Sequence, residues 1–386
     1  MPRRSRRIKR NKQSGNKFGD LPRKCVVDVL MNFDIYKVAS NHRVVCREFR
    51  DAGQDRINER GGRKLFEEAM EYCHGLNNRN INIGKSIALM DAAMYNGCKM
   101  ALLVHAVTQL RVGEEDKNNL FKRFKNIALL ELDIQYHVQG YGEFFVGCLI
   151  GRGNGIRNLN NQQAEWYTKS AELGNALAMN KLGTCYAEGT GGLAASRTKA
   201  IELFTTSAKA GCAAARSNLA ELILSKERAD GFATFDGLQL MLQSAQQGFD
   251  NAQYQIGLLS GGLHVVWTFD VVGLAELVPV DHEVSFTWSL AAAENPNDGG
   301  HAGAMHSVGY ALEFGIGVEE DESKALEWYR KSANKGYGMS AFRLGDCYEL
   351  GDLGLEIDLV QALFWYQAAA SQGNEEALEA IRERFE

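Results

Sequence analysis

Histidine and cysteine are the residues that most often bind metals or act as nucleophiles, and this chain has eight of each. The histidines form no H-E-x-x-H pair, and the five-residue step from His301 to His306 is a poor spacing for one helix face. The cysteines include no C-x-x-C pair. We therefore predict no catalytic residues, no metal site and no cofactor. The cysteines are expected to be reduced and to pack as small apolar side chains.

Two glycine-rich stretches resemble phosphate-binding loops only superficially. They are Gly151-Arg-Gly-Asn-Gly155 and Gly189-Thr-Gly-Gly192, and neither is followed by the Lys-Ser or Lys-Thr pair of a nucleotide loop. Both fall between predicted helices, so we interpret them as turns. The pairs Trp166-Tyr167, Trp328-Tyr329 and Trp365-Tyr366 could form an aromatic ligand platform, but their register predicts a role in the helical core.

The elements that position these residues repeat along the chain with a period of about 37 residues. Ser170-Ala171 recurs at this step as Ser207-Ala208 and Ser244-Ala245, and Trp328-Tyr329 recurs as Trp365-Tyr366. The clearest unit runs from 304 to 336 and contains two helices joined at 314–318, where glycines tolerate positive φ angles. Its second helix places alanine, tryptophan, tyrosine and serine on one stripe.

These units resemble the Sel-one-like repeat, a relative of the tetratricopeptide repeat, with the pattern A-x-x-x-L-G-x-x-Y-x-x-G-x-G-V-x-x-D-x-x-K-A-x-x-W-Y-x-K-A-A-x-x-G. Five or six copies fit, and they begin near Tyr141, Ala178, Ala215, Ala252, Ala304 and Ala341. The third copy lacks the turn glycines, and the fourth carries an insertion near 258–287. The resemblance implies an all-α fold, a right-handed superhelical α-solenoid of helix-turn-helix repeats whose stacking creates a concave groove.

A second resemblance, to the F-box, concerns the segment 18–60. Leu21-Pro22, Val29-Leu30-Met31-Asn32-Phe33 and Val45-Cys46-Arg47-Glu48-Phe49-Arg50 occupy the places of that family's motifs. Cys25 stands where leucine is usual, and Lys37-Val38 replaces the central acid-leucine pair. The resemblance implies a small helical module that binds a Skp-type adaptor of a cullin ubiquitin ligase. Its adaptor-binding residues would be Leu21, Pro22, Val29, Leu30, Val45 and Phe49. The alternative is that these residues only cap the repeat array.

The remaining segments complete the predicted domain organisation. Residues 1–17 form a disordered basic tail, for which a nuclear address, a nucleic-acid contact and a solubilising role all stay open. Degenerate helical repeats are expected at 61–140, Sel-one-like repeats at 141–374 and a C-terminal capping helix at 375–386. In the insertion, Trp267 and Phe269 either meet a partner or fold back onto the array.

The location expected from sequence is cytoplasmic, nuclear or both. No apolar stretch reaches the roughly 18 residues of a membrane span, and the first 17 residues lack the apolar core of a secretory signal. We therefore expect no membrane association, and nucleic acid only through the basic tail.

Two hypotheses of function follow, and both describe a protein that is not an enzyme. In the first, the chain is the substrate receptor of a Skp-cullin-F-box ubiquitin ligase and binds a target protein in the repeat groove. In the second, it is a repeat scaffold without any connection to ubiquitin ligases. The sequence does not name the target, because groove specificity resides in the variable helix positions.

Overall fold

A computed structural model of the chain describes residues 61–95, 98, 101, 104, 140–151, 162–225, 233–262, 278–295 and 299–385. The predicted basic tail, the F-box-like segment and residues 263–277 of the insertion, with Trp267 and Phe269, lie outside these ranges. Within them the chain forms fifteen α-helices, a short 3₁₀ turn at Leu76–Asn78 and no strand. The predicted all-α class is confirmed for this part of the chain.

The helices are numbered here in chain order. They are α1 (Gly62–His74), α2 (Ile83–Tyr95), α3 (Tyr141–Gly151), α4 (Gln163–Glu172), α5 (Ala176–Glu188), α6 (Arg197–Lys209), α7 (Ala213–Leu224), α8 (Thr234–Gln246), α9 (Asp250–Ser260), α10 (His282–Ala293), α11 (Ala302–Phe314), α12 (Glu322–Asn334), α13 (Gly338–Leu350), α14 (Leu359–Ser371) and α15 (Glu375–Arg384).

Six hairpins, from α3/α4 to α13/α14, correspond to the six predicted repeat copies. Each helix packs on the next one in sequence, so that every hairpin lies against its neighbours as in an α-solenoid. The weak third copy (α7/α8) and the fourth copy with its insertion (α9/α10) also form hairpins. Helices α1 and α2 form a further hairpin before the array, and α15 packs on α14 after it.

Local sequence explains where many of these helices begin and end. Polar side chains cap the amino ends by accepting a hydrogen bond from the backbone amide three residues later. These capping residues are Asn175, Asp281, His301, Asp321, Asp358 and Asn374. Gly189, with φ of 70°, ends α5 in the left-handed conformation, and Gly315 and Gly351 end α11 and α13 in the same way. The segment Gly189–Gly192 is therefore a turn, as predicted, whereas 152–155 lies outside the described residues.

A glycine in the first helix of a repeat sets how closely its second helix approaches. A Cβ atom added to Gly345 would lie 2.5 Å from the ring of Tyr366, and one added to Gly183 would lie 2.7 Å from the ring of Phe204. The aromatic ring thus packs directly on bare helix backbone. The predicted core role of the Trp-Tyr pairs is confirmed for Tyr167, Tyr329 and Tyr366, which are all buried.

The recurring serine of the second helix ties each of four hairpins together. Its hydroxyl donates to the carbonyl oxygen at the start of the first helix, from Ser170 to Gly140 (2.6 Å) and from Ser207 to Ala176 (2.7 Å). Ser244 and Ser332 make the same bond at 2.7 Å. The Ser-Ala periodicity in the sequence is therefore the trace of a buried hydrogen bond between paired helices.

The described cysteines lie in the core as reduced thiols. All six of them are buried, as predicted, while Cys25 and Cys46 lie outside the described ranges. Burial raises the pKa of the Cys73 and Cys347 thiols to about 12. Because the thiolate is the reactive form, neither side chain is a nucleophile at neutral pH. No helix in the described part of the chain is long and apolar enough to cross a membrane.

Candidate partner-binding surface

The residues predicted to bind an adaptor lie outside the described residues. They are Leu21, Pro22, Val29, Leu30, Val45 and Phe49, and their role stays a prediction. No set of three or more His, Cys, Asp or Glu side chains in the described ranges is arranged to hold a metal ion.

Two histidines that could have done chemistry have structural contacts instead. His301 Nδ1 accepts a hydrogen bond from the Ala304 amide (3.1 Å), and its ring stacks on Tyr254 with 4.3 Å between centroids. His306 lies 2.9 Å from the hydroxyl of Ser340. Burial lowers the pKa of both histidines to about 4. Both rings are therefore neutral at neutral pH.

Each first helix presents one stripe away from its own second helix. We count Gly140, Ala176, Ala213, Asp250, Ala302 and Gly338 as position 1 of successive repeats. The glycine or alanine that meets the second helix is then at position 8. At 100° per residue, positions 2, 6, 9 and 13 form a stripe about 100–160° around the helix from position 8. We call the surface that these positions form along the array the first-helix face.

In the middle of the array, amide side chains connect neighbouring first helices on or beside this face. Asn218 donates to the side-chain oxygen of Asn180 at 2.9 Å, and Asn251 donates to the carboxylate of Glu221 at 2.9 Å. Burial raises the pKa of Glu221. These bonds fix the register between adjacent repeats.

In the two carboxy-terminal repeats, a glutamate joins three successive helices. The hydroxyl of Tyr329 donates to Glu313 at 2.6 Å, and Arg343 of the next first helix pairs with the same carboxylate. The next repeat has the same arrangement, with 2.6 Å from Tyr366 to Glu349 and 2.5 Å from Arg384 to Glu349. We call each group a tyrosine-glutamate-arginine clasp.

The charge balance of the first clasp follows from its burial. Burial and the hydrogen bond to Glu313 raise the pKa of Tyr329. Burial alone would lower the pKa of Arg343, but its contacts with Glu313 raise it above its usual value. Arg343 also pairs with Asp352 at 3.1 Å. Arg343 therefore keeps its charge over the whole physiological pH range and makes charge-assisted hydrogen bonds to Glu313.

Large apolar side chains are exposed on the first-helix face of these same two repeats. They are Tyr310, Phe314, Met339 and Leu350, with exposed fractions of 49, 55, 42 and 62%. The rings of Tyr310 and Phe314 lie 4.7 Å apart. Arg343 at position 6 and Asp346 at position 9 add charge beside them. Apolar anchors among charged groups are typical of a protein interface.

The amino-terminal end of the same face is covered by the chain itself. The ring of Phe66 in α1 meets that of Tyr141 edge-on, with centroids 5.3 Å apart. Tyr141 occupies position 2 and is only 4% exposed, in contrast to Met339 at the same position of the last repeat. Burial, with a smaller contribution from Lys181, lowers the pKa of His74 to about 3. Helix α1 thus lies along the first repeats.

A second exposed apolar patch lies on a different helix. It consists of Ile357, Leu359, Val360 and Phe364, at and near the start of α14, a second helix. We call it the α14 patch. The corresponding turn of α12 carries Glu322, Ser323 and Glu327, so the apolar character is not required by the repeat.

Sequence reasoning did not single out the exposed anchors, although the chain contains a signal for them. Position 8 is nearly constant, whereas position 9 holds Cys148, Thr184, Glu221, Leu258, Tyr310 and Asp346 in successive repeats. A position that varies among copies of one repeat is not fixed by the common fold. Such variation points to the surface where the copies differ in contacts.

The comparison with protein families assigns the repeats. Residues 140–175, 176–212, 302–337 and 338–374 each match the model of the Sel1 repeat. The chain therefore carries Sel1 repeats, which confirms the Sel-one-like resemblance for the first, second, fifth and sixth hairpins.

Known proteins with similar sequence or structure extend this comparison. Chitin synthase regulatory factor 3 of Schizosaccharomyces pombe is 27% identical over 291 residues, which are 72% of this chain and 28% of that protein. This chain thus spans about a quarter of the length of that relative. A Sel1 repeat protein from Oxalobacter formigenes is 24% identical, with a TM-score of 0.54, over 67% of this chain and 99% of that one. Its likeness shows the solenoid fold.

Proposed function

We propose that this chain is a non-catalytic scaffold that binds a partner protein through the first-helix face of its last two repeats. The observation that carries the proposal is the exposed group Tyr310, Phe314, Met339 and Leu350, set beside Arg343 and Asp346. Full burial of such a side chain contributes about 1.5–3 kcal/mol, so covering four half-exposed ones contributes about 3–6 kcal/mol to the binding of a partner.

The test is capture of partners by tagged protein carrying Tyr310→Ser and Phe314→Ser. These residues are exposed, so the fold is expected to persist, and the bound partners are expected to be lost. Val360→Ser with Phe364→Ser is the matched control, because it removes a similar exposed apolar pair from the α14 patch. Partners that survive the first double substitution but are lost with the control would reject this surface.

The finer form of the proposal assigns a ligase connection to the amino-terminal segment. The chain would act as substrate receptor of a Skp-cullin-F-box ubiquitin ligase, in which Leu21, Pro22, Val29, Leu30, Val45 and Phe49 bind the Skp-type adaptor. Support comes from the F-box-like motifs at Leu21-Pro22 and 45–50. This role requires a cytoplasmic or nuclear location, which the basic tail at 1–17 would serve as a nuclear address.

Copurification of a Skp-type adaptor and cullin tests this finer form. We expect both to be recovered with the wild-type chain and lost with Leu21→Ala/Pro22→Ala. A folded bait that recovers neither would leave the second candidate, a repeat scaffold without a ligase link. The relative from Schizosaccharomyces pombe favours that candidate, because it is described as a regulatory factor and shares this repeat-bearing region.

A further inference from the structure

The loop between α1 and α2 makes contacts that a solenoid repeat does not make. In such arrays each repeat touches only its immediate neighbours. Residues 75–81, however, reach the loops that follow the second and third repeats. One of these hydrogen bonds joins residues 172 positions apart in sequence. The loop is therefore seated on the array as a ligand would be, and not stacked as one more repeat.

The repeat array binds this loop mainly through the main-chain atoms of the loop. The side-chain amide of Gln247 donates to the carbonyl oxygens of Gly75 (2.9 Å) and Arg79 (3.2 Å). In return, the Asn77 amide donates to Ala210 O at 3.0 Å and the Ile81 amide donates to Gln247 O at 2.7 Å. Gln247 is only 5% exposed. The turn is thus held mainly through its backbone carbonyls and amides.

Surrounding residues complete this first site. Arg216 bonds both to the side-chain oxygen of Gln247 and to that of Asn78. Gly75 lies against Ala213, and its Cβ would approach that of Ala213 to 3.1 Å. Gln247 Nε2 also donates to Gly211 O at 3.2 Å, across the preceding inter-repeat loop. The site is therefore an edge of the array built from two successive inter-repeat loops and the helix start between them.

The last repeat contains a similar edge without the loop, with Gln372 as the counterpart of Gln247 and Ala341 in the place of Arg216. Gln372-Gly373 follows α14 as Gln247-Gly248 follows α8, and both glycines have positive φ, 82° and 89°. The side chain of Gln372 lies over Gly336, the counterpart of Gly211, with its oxygen 3.7 Å from the Cβ position of Gly336. Gln372 is exposed, and its amide donates to Ser371 at 3.5 Å.

Neighbouring residues make this second edge suitable for a partner. Gly338 stands where Ala213 supports Gly75, and a Cβ atom added to Gly338 would lie 3.3 Å from the Cβ of Gln372, so the two residues form one edge. Met339, the next residue, is exposed on the first-helix face. In the first site, α1 runs from the turn back to Tyr141 on that face. It passes Lys181 at position 6 of the second repeat on the way. A helix leaving the second edge in the same way would pass position 6 of the fifth repeat, Ser307, one turn before the exposed Tyr310.

We propose that the edge formed by Gly336, Gly338, Met339 and Gln372 binds a helix-turn segment of a partner protein. Gln372 takes the carbonyl oxygens of the turn, and the preceding amphipathic helix covers Met339 and passes beside Tyr310. The segment has the chemistry of residues 62–82 of this chain. This inference rests on the proposed scaffold function and names the kind of element that the scaffold binds.

A fluorescently labelled peptide of residues 62–82 tests the inference when titrated with the full chain. We expect saturable binding, weakened about tenfold by Gln372→Ala, since two main-chain hydrogen bonds would be lost. Gln367→Ala, an exposed glutamine on the same helix, is the matched control and should leave the dissociation constant unchanged. Met339→Glu should weaken binding independently of Gln372.

Three results would overturn the inference: no binding of the peptide, equal binding by Gln372→Ala, or loss of binding with Gln247→Ala only. The last result would mean that the peptide exchanges with the loop already held at Gln247. None of them touches the broader scaffold function, which fails only if partner capture is insensitive to Tyr310→Ser/Phe314→Ser.

Discussion

The first two repeats and the last two share one backbone plan but treat their polar groups and their first-helix face differently. In the first repeat, the hydroxyl of Tyr167 donates to the thiol of Cys148 at 3.5 Å and accepts from the side-chain amide of Gln163. In the second repeat, Phe204 replaces the tyrosine. In the last repeats, both tyrosines belong to tyrosine-glutamate-arginine clasps. The first-helix face is covered by α1 in the first region and exposed in the second.

This difference shows how a solenoid obtains stability in two ways. The amino-terminal region buries apolar surface by adding a hairpin over its first-helix face, so its helices need few charged contacts. The carboxy-terminal region leaves that face open and joins successive helices through the carboxylates of Glu313, which is buried, and Glu349, which is half-buried. A first-helix face that is held in place by these contacts and is not covered by another helix is suited to serve as a preorganised binding surface.

The largest expected effect comes from adding a side chain at the position 8 glycine of the last repeat. Gly345→Ala places a methyl group 2.5 Å from the buried ring of Tyr366 and should lower the free energy of unfolding by about 3 kcal/mol. Urea denaturation measures it. The control is Ala220→Gly at the same position of the third repeat. It should lower the free energy of unfolding by about 1 kcal/mol, because glycine has a lower helix propensity than alanine. Equal losses in the two variants would contradict the proposed close packing.

Acid should weaken the carboxy-terminal region through His306. Its pKa is about 4 in the folded chain and near 6.5 when unfolded, so its stabilising contribution is present above pH 6.5 and is lost as the pH falls towards 4. At pH 5 the loss is about 2 kcal/mol. His306→Asn should flatten the pH dependence of the unfolding free energy between pH 7 and 5 by that amount. An unchanged slope in this variant would refute the buried neutral histidine.

Removing the tyrosine hydroxyl from one clasp should lower the free energy of unfolding by a smaller amount. Tyr329→Phe keeps the ring but deletes the bond to Glu313, with an expected loss of about 1.5 kcal/mol. The reverse change, Phe204→Tyr, adds a hydroxyl where Ala187 replaces the glutamate, and it should bring no gain in stability. Thermal or urea unfolding of the two variants measures both effects. A stabilised Phe204→Tyr variant would show that the two regions do not differ as described.

The smallest effect concerns the loop seated on the amino-terminal region. Gly211→Ala and Gly174→Ala impose similar strain at φ of 86° and 85°, but only at Gly211 would the new methyl overlap the backbone of the loop at Asn78. We expect Gly211→Ala to be the less stable variant by about 1 kcal/mol. It should also show faster amide exchange at Asn77 and Ile81. Identical exchange in the two variants would mean that the loop is not held at this edge.

The sequence predicts the repeated hairpins well because their determinants recur. Gly183, Gly309 and Gly345 each meet an aromatic ring on the second helix of the same hairpin, so the pattern of glycine and Trp-Tyr pairs encodes a local contact. Even the weak third copy follows this plan, with Ala220 at the glycine position.

The candidate surface on the last two repeats is harder to predict. Tyr310 and Tyr329 are the same residue type in one repeat, yet one is exposed and the other buried. Only the helix position distinguishes them. The seating of residues 75–81 on Gln247 depends on a contact without periodicity between distant segments, which no local pattern contains. Recurrence therefore predicts the scaffold, while the surface depends on what the copies do not share.

The central claim is that the first-helix face of the last two repeats binds the partner, and site-specific photocrosslinking tests it most directly. A photoreactive phenylalanine analogue would replace Phe314 in one variant and Phe364 of the α14 patch in another. We predict that the Phe314 variant forms a covalent adduct with the partner and that the Phe364 variant does not. An adduct formed only from position 364 would contradict the account.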